Sequence, residues 1–222
     1  AAWIICVIIF SGVLFIHLPQ TYADGGGSSG WWIPETTFIE FESMDIAQPV
    51  PAVITIQGKL KIPERCNWRK KRAGNRKNMA AVLILHGSAG IDFRGDFYAR
   101  AFNAAGIATL EIDMWDARGI TTAADRPALP LFTYPDAFSA LKFLAEHPRI
   151  DPDRIGVIGF SWGGVITMAS AAEHNASQFG GDLRFAAHVA HYPVCYAYNS
   201  GIPGSEFMNL TGAPILIQTG EN

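Results

Sequence analysis

The segment Arg154-Ile155-Gly156-Val157-Ile158-Gly159-Phe160-Ser161-Trp162-Gly163-Gly164 decides the fold. A short run rich in Ile and Val ends in Gly-x-Ser-x-Gly, and a helix-compatible segment, residues 165–172, follows at once. This order predicts a buried strand, a sharp turn and a helix, with Ser161 exposed at the turn as a nucleophile. Glycine at 159 and 163 removes the Cβ atoms that would collide in so tight a turn. The alternative is an ordinary turn in which Ser161 is only a helix N-cap.

The composition favours one α/β domain with a sizeable core. The chain has 222 residues, of which 49% are hydrophobic, and a formal net charge of -3. A chain with so small a net charge has no global field that attracts nucleic acid, so we expect no nucleic-acid partner. No Cys/His spacing resembles a zinc site, and we expect no metal.

The first 23 residues differ from the rest, because they contain no Lys, Arg, Asp or Glu. An apolar run over residues 1–16, followed by the Gly/Ser-rich residues 24–30, predicts a secretory signal and an exported protein, periplasmic or secreted. We expect no membrane contact after its removal; the alternative is a retained membrane anchor. The run lacks a starting Met and a basic flank, so we expect the chain to begin inside its signal. Export permits a disulfide between Cys66 and Cys195, and the sequence leaves that pairing open.

Period-two alternation over residues 54–62 predicts a half-buried antiparallel strand at the edge of a mixed sheet, with a bulge at Gly58. Residues 38–41 could form a first strand. The basic cluster over residues 65–77 favours a solvated loop over a nucleic-acid or lipid patch.

From Met79 onward, strands alternate with helices, which predicts a mostly parallel sheet with helices on both faces. The strands fall at residues 80–85, 107–112, 155–160, 184–191 and 213–218, and helices at 96–105 and from Pro135. The first helix presents an apolar stripe of Phe97, Ala101, Ala104 and Ala105, and the second one of Ala137, Ala140, Leu141 and Leu144.

An oxyanion hole has two candidate components. One donor is the backbone N–H of Trp162, the residue after the nucleophile. The second comes from the loop His86-Gly87-Ser88-Ala89-Gly90, near Gly87 and Ser88. The alternative for this loop is a plain glycine turn with a hydrogen-bonded histidine.

These motifs together resemble the α/β-hydrolase fold, and more narrowly its dienelactone hydrolase-like branch. The residues that carry the resemblance are His86-Gly87, the loop Asp113…Arg118-Gly119, Gly159–Gly164 and the strand end Tyr192-Pro-Val-Cys195. The resemblance covers residues 52–222 and implies cleavage of esters or lactones through an acyl-enzyme, without a cofactor. Dienelactone hydrolases carry a cysteine nucleophile, whereas this chain has Ser161, which favours a serine esterase. The implied organisation is a partial signal at 1–23, a linker and N-terminal extension at 24–50, and a hydrolase domain at 51–222.

The catalytic acid and base are missing from the expected places. In this fold the acid and then the histidine follow the nucleophile, yet no histidine follows residue 191. Glu221 is a weak candidate for the acid. His188 and His191, three residues apart on one strand, face opposite sides and read as core or pocket-lining residues. We therefore expect a fragment whose C-terminal part is missing, inactive by itself, with acid and base beyond Asn222.

The resulting hypothesis is an exported serine hydrolase acting on a small-molecule ester or lactone. His86, Trp115 and Tyr192 are the candidate pocket residues, on position alone. Two alternatives remain open: a serine peptidase of the same fold, and a non-catalytic binding protein that has lost its catalytic triad.

Overall fold

The computed structural model describes residues 8–10, 13–15, 32–65, 79–195, 199, 201, 202 and 205–220. The strands are β1 (Ile8–Phe10), β2 (Val13–Phe15), β3 (Trp32–Asp45), β4 (Ala52–Arg65), β5 (Met79–Leu85), β6 (Ala108–Asp113), β7 (Ile150–Phe160), β8 (Ala187–His191) and β9 (Ile215–Gln218). The α-helices are α1 (Phe93–Ala104), α2 (Tyr134–Glu146), α3 (Trp162–Ser170) and α4 (Glu173–Gly180), and short 3₁₀ helices lie at Asp116–Arg118 and Pro130–Thr133.

Seven strands form one sheet in the order β3-β4-β6-β5-β7-β8-β9. Strand β4 is antiparallel to both of its neighbours, and the strands from β6 to β9 are paired in parallel. The prediction of a mostly parallel sheet is therefore confirmed. The separate pair β1–β2 is antiparallel. Because parallel strands place their carboxyl ends at one edge, the ends of β5, β6, β7 and β8 meet there, and a site is expected at that edge.

Helices cover both faces of the sheet. On one face α1 packs on a small apolar cluster that includes Ile84 and Ile158, and on the other α2 and α3 pack on the main core with Leu83 and Val157. Alternate residues of one strand point to opposite faces, so the strands covered on both faces are mostly apolar. The predicted stripe of α2 is confirmed, since all four of its residues are buried.

The N-terminal side of the sheet differs from the prediction in three respects. Strand β3 spans residues 32–45, so it includes the possible strand at 38–41 but is much longer, and most of it lies in the segment assigned to a linker and extension. Strand β4 consequently lies inside the sheet, and its predicted place at the edge was wrong. Gly58 forms no bulge, because it pairs in unbroken register with Ile39 and Ile112. A Cβ at Gly58 would lie 2.9 Å from Leu110 Cδ1, so close packing explains the glycine.

The buried face of α1 was also predicted wrongly. Phe97 is 63% exposed, whereas Gly95, Ala99 and Asn103 are buried. The reason is a carboxylate beneath the helix: a Cβ at Gly95 would lie 1.6 Å from Oε1 of Glu111. The helix therefore packs on the sheet through Gly95 and Ala99. The spacing of apolar residues in the sequence does not predict this face.

Several predictions fall partly or wholly outside the described residues. They are the signal segment apart from β1 and β2, the basic cluster beyond Arg65, Cys66 and Glu221. Cys195 is exposed, and its pairing with Cys66 stays a prediction. Among the residues with described structure, no helix has the length and apolar character to cross a membrane.

Candidate active site

The turn between β7 and α3 has the geometry of a nucleophile elbow. Ser161 has φ 50° and ψ −104°, a backbone conformation rarely adopted by residues with a side chain. Its N–H donates to the carbonyl of His191 over 2.9 Å, and its carbonyl accepts from the N–H of Val165 over 2.9 Å. The Ser161 side chain makes no capping hydrogen bond to the helix. The N-cap alternative therefore fails, and the hydroxyl remains available for chemistry.

Three glycines permit this turn by close backbone contact. A Cβ at Gly159 would lie 2.0 Å from the carbonyl oxygen of Gly163, and a Cβ at Gly163 would lie 2.4 Å from that of Leu85. A Cβ at Gly164 would lie 2.8 Å from the carbonyl oxygen of His191. The sequence did not suggest a steric role for this third glycine. Real Cβ atoms do not approach backbone so closely, so the strained serine depends on all three glycines.

The loop after β5 lies beside the nucleophile, as an oxyanion hole requires. A Cβ at Gly87 would lie 3.3 Å from the carbonyl oxygen of Phe160 and 3.7 Å from the Cβ of Ser161. The loop is closed by the N–H of Gly90, which donates to the Gly87 carbonyl over 3.0 Å. Within the described part of the chain, the N–H groups of Ser88 and Trp162 have no hydrogen-bond acceptor. These donors could hold a negatively charged oxygen next to Ser161.

His86 supports this loop from below. It is 4% exposed; its Nδ1 bonds the Gly87 carbonyl over 2.7 Å and its Nε2 accepts from the N–H of Met114 over 3.0 Å. Both bonds require a neutral ring with the proton on Nδ1. Burial lowers the pKa of His86, which favours the same state. His86 was predicted to line the pocket, but it is buried and its bonds support the loop after β5.

Trp115 and Trp162 form a second support. Trp115 is buried, and its indole N–H donates to the Ser88 carbonyl over 3.1 Å. The rings of Trp115 and Trp162 meet edge to face at 5.7 Å, and the indole N–H of Trp162 donates to the Thr133 hydroxyl over 3.0 Å. Trp115, also predicted to line the pocket, thus holds the loop. Of the three predicted pocket residues, Tyr192 is the one with an exposed side chain.

No described histidine is placed to activate Ser161. The Ser161 hydroxyl has no hydrogen-bond partner among residues whose positions are described. The ring of His191 stacks on Phe160 at 5.0 Å, whereas that of His188 meets Phe185 on the opposite face of the sheet. Burial lowers the pKa of each to about 4. Both are neutral core residues, which agrees with the prediction from their spacing, and His174 is exposed on α4.

A buried ion-pair network fixes the loop after β6, and sequence reasoning missed it. Arg118 donates to both oxygens of Asp136, over 2.7 Å and 3.2 Å, and to the Met114 carbonyl over 2.9 Å. Ser43 donates to Asp136 over 2.6 Å. Burial raises the pKa of Asp136 against the opposing effect of Arg118. The pairing joins residues far apart in the chain, so no local pattern signals it.

A second bridge, also missed, lies close to Ser161. Arg94 pairs with Asp92, and its Nη1 donates to the hydroxyl of Tyr192. The guanidinium carbon of Arg94 lies 5.4 Å from the centre of the Phe160 ring, directly before the nucleophile.

A cavity of about 680 Å³ lies away from Ser161. It is lined by residues of β3, β4 and β6 together with Ile91, and Ser161 is not among them. The chemistry of the elbow, and not cavity size, therefore locates the candidate site.

Comparisons with known proteins agree with this geometry. A model of the prolyl oligopeptidase family matches residues 129–207, which include the elbow. A protein named uncharacterized peptidase YtmA, from Bacillus subtilis (strain 168), is 50% identical over 38 residues, which are 17% of this chain and 15% of that protein.

Two solved structures show the same architecture. A puromycin hydrolase matches with a TM-score of 0.54 at 19% identity, over 74% of this chain and 23% of that one. A structure named m3DLH matches with a TM-score of 0.51 at 18% identity, over 82% of this chain and 68% of that one. The chain thus spans a small part of the peptidase and of the puromycin hydrolase. The strand order, the elbow and these similarities show that the chain has the α/β-hydrolase fold.

Proposed function

We propose that this protein is an exported serine hydrolase that cleaves a carboxylic ester or lactone through an acyl-enzyme on Ser161. The observation that carries the proposal is the strained Ser161, held in an elbow where the N–H groups of Ser88 and Trp162 have no acceptor among the described residues. A protein keeps such a conformation where function depends on it.

The reaction follows from the positions of these groups. The Ser161 oxygen attacks the ester carbonyl carbon and loses its proton to a base. The N–H groups of Trp162 and of the Gly87–Ser88 loop hold the oxygen that becomes negatively charged. The alcohol then leaves with a proton, and water hydrolyses the acyl-enzyme. We propose that the base and the acid come from residues outside the described part of the chain, Glu221 being one candidate for the acid.

A dienelactone hydrolase-like serine esterase is the narrower proposal. It is supported by the sequence resemblance, including the strand end at Tyr192-Pro193.

A serine peptidase is the second candidate, since one observation favours it. The match to the prolyl oligopeptidase family covers the elbow and α2, and the similarity to a named peptidase is high over its short length. Peptide and ester cleavage use the same nucleophile and oxyanion hole, so the elbow is compatible with both.

Covalent labelling tests the nucleophile. The full natural protein treated with a fluorophosphonate should be modified at Ser161, as located by mass spectrometry. Ser161→Ala should abolish labelling and lower kcat by about 10⁶-fold. Ser177→Ala is the matched control, because this exposed hydroxyl donates to Glu173 on α4, away from the elbow, and should change nothing. A folded, unlabelled natural protein would show that Ser161 is not a nucleophile and would favour the binding-protein alternative.

Substrate comparison separates the two enzymes. The esterase predicts rapid turnover of p-nitrophenyl acetate and no cleavage of peptides. Cleavage of peptide p-nitroanilides with kcat/KM similar to that for the esters would favour the peptidase.

A further inference from the structure

Two residues with side chains occupy positive φ directly after neighbouring parallel strands. Ser161 follows β7 with φ 50°, and Tyr192 follows β8 with φ 37°. The first is explained by the elbow. Acyl transfer at Ser161 assigns no role to the second, although so bulky a residue in this region is unusual. A strained residue beside a candidate site calls for a functional explanation.

Tyr192 is held by contacts at both its backbone and its side chain. Its N–H donates to the Gln218 carbonyl over 2.6 Å, and its hydroxyl accepts a hydrogen bond from Arg94. Arg94 is itself fixed, because its Nε donates to the two oxygens of Asp92 over 2.8 Å and 2.9 Å. The Arg94 guanidinium holds the pKa of Asp92 below its usual range, so the ion pair persists at neutral pH. The result is a rigid connection from the start of α1 to the end of β8.

This connection passes directly beside the nucleophile. The Arg94 guanidinium lies over the ring of Phe160, the residue before Ser161. A Cβ atom built on Gly87 would lie 3.7 Å from Nη2 of Arg94 and also 3.7 Å from the Cβ of Ser161. Those two atoms are therefore separated by at most twice that distance. Tyr192 is 42% exposed.

Capping of α1 does not account for the connection. Asp92 caps the helix by accepting the N–H of Arg94 over 2.9 Å, and that bond needs no arginine side chain. The hydrogen bond to Tyr192 joins residues 98 positions apart and adds nothing to the cap.

We propose that Arg94 and Tyr192 form a wall that limits the size of the substrate group on this side of Ser161. The proposal rests on the proposed hydrolase function and adds its specificity determinant. Because the guanidinium is held by Asp92 and lies on Phe160, the tyrosine ring does not swing aside freely. A bulky acyl group on that side meets the ring, whereas a small one does not.

The test uses the full natural protein with two esters, p-nitrophenyl acetate and p-nitrophenyl benzoate. The ratio of their kcat/KM values is independent of the amount of folded enzyme. Tyr192→Ala should raise the ratio in favour of the benzoate about tenfold. Arg94→Gln and Tyr192→Phe each break the hydrogen bond and should shift the ratio in the same direction by less. The double variant Arg94→Gln/Tyr192→Phe should show no larger shift of the ratio than the single variants, because both substitutions remove the same hydrogen bond.

Arg100→Gln is the matched control, since it removes an exposed arginine of the same helix and should leave the ratio unchanged. An unchanged ratio in Tyr192→Ala and Arg94→Gln would overturn the wall while leaving the hydrolase intact. Absence of both labelling and ester turnover in the natural protein would instead overturn the proposed function itself.

Discussion

The turns after β7 and β8 are neighbours with similar backbone strain and different means of holding it. At the first, Ser161 is held by glycines whose absent Cβ atoms let three backbone segments meet. At the second, Tyr192 is held by a side-chain bridge to Arg94 and by a backbone bond to β9. The glycines that permit the first turn lie within residues 159–164 and form a recognisable motif, although they also pack against Leu85 and His191, whereas the partners of Tyr192 lie far along the chain. Local sequence therefore reveals the first and conceals the second.

The largest loss of stability is expected from a substitution in the first turn, where close backbone contacts leave no room for a Cβ atom. Gly159→Ala places a Cβ 2.0 Å from the Gly163 carbonyl oxygen, so the elbow must open. We expect the free energy of unfolding to fall by about 3 kcal/mol or more, together with loss of fluorophosphonate labelling. Urea denaturation and mass spectrometry provide the measurements. Gly220→Ala is the control, since nothing lies within 4 Å of its Cβ position. Retained labelling in Gly159→Ala would show that the glycine is not needed.

A smaller loss of stability is expected when the pH is lowered, because the second turn packs against the buried, neutral His191. His191 is 6% exposed among Tyr98, Phe160 and Tyr192, and burial lowers its pKa from 6.5 to about 4. Between those values the unfolded chain binds the proton and the folded chain does not, so stability falls as the pH falls. From pH 7.5 to pH 5 the loss from this residue is about 2 kcal/mol.

The check is a pair of urea titrations at pH 7.5 and pH 5. His191→Phe keeps an aromatic ring on Phe160 without a titrating group, so it should show a smaller loss than the natural protein. His188, which is buried with the same direction of shift, contributes equally in both proteins and cancels. Equal losses would mean that His191 stays unprotonated in the unfolded chain or is protonated when folded.

The smallest change in stability is expected from relieving the backbone strain at the two residues with positive φ. Ser161→Gly should exceed Ser161→Ala in free energy of unfolding by about 1 kcal/mol, because glycine adopts the turn without strain. Tyr192→Gly should likewise exceed Tyr192→Ala in free energy of unfolding by about 1 kcal/mol, because both variants lose the bond to Arg94 and differ in the cost of the positive φ. Chemical denaturation of the four variants supplies the values. A Ser161→Gly protein no more stable than Ser161→Ala would show that the elbow stores no strain.

Much of the scaffold could be predicted before the structure. The elbow, the alternation of strands and helices, and the buried stripe of α2 all have a signature in residue spacing over short stretches of sequence, and all are found. The buried face of α1 could not be predicted, because it is set by Glu111 on a different strand. The place of β4 inside the sheet likewise depends on pairing with β3.

The candidate site also combines features that the sequence predicted with features that depend on the tertiary structure. Ser161 and the loop at Gly87–Ser88 were identified from motifs whose spacing reflects local steric needs. His86 and Trp115 were recognised as members of the site, but their role as supports depends on bonds to Met114 and Ser88 that only folding brings together.

By itself, the sequence determined the layered fold and the place of the sharp turn at Ser161, because glycine spacing and apolar periodicity act over short stretches of chain. Only the tertiary structure decided which side chains surround Ser161. The link between Arg94 and Tyr192 joins α1 to β8 across 98 positions. Pairing at that range is set by which strand ends meet at one sheet edge, and local propensity carries no record of it.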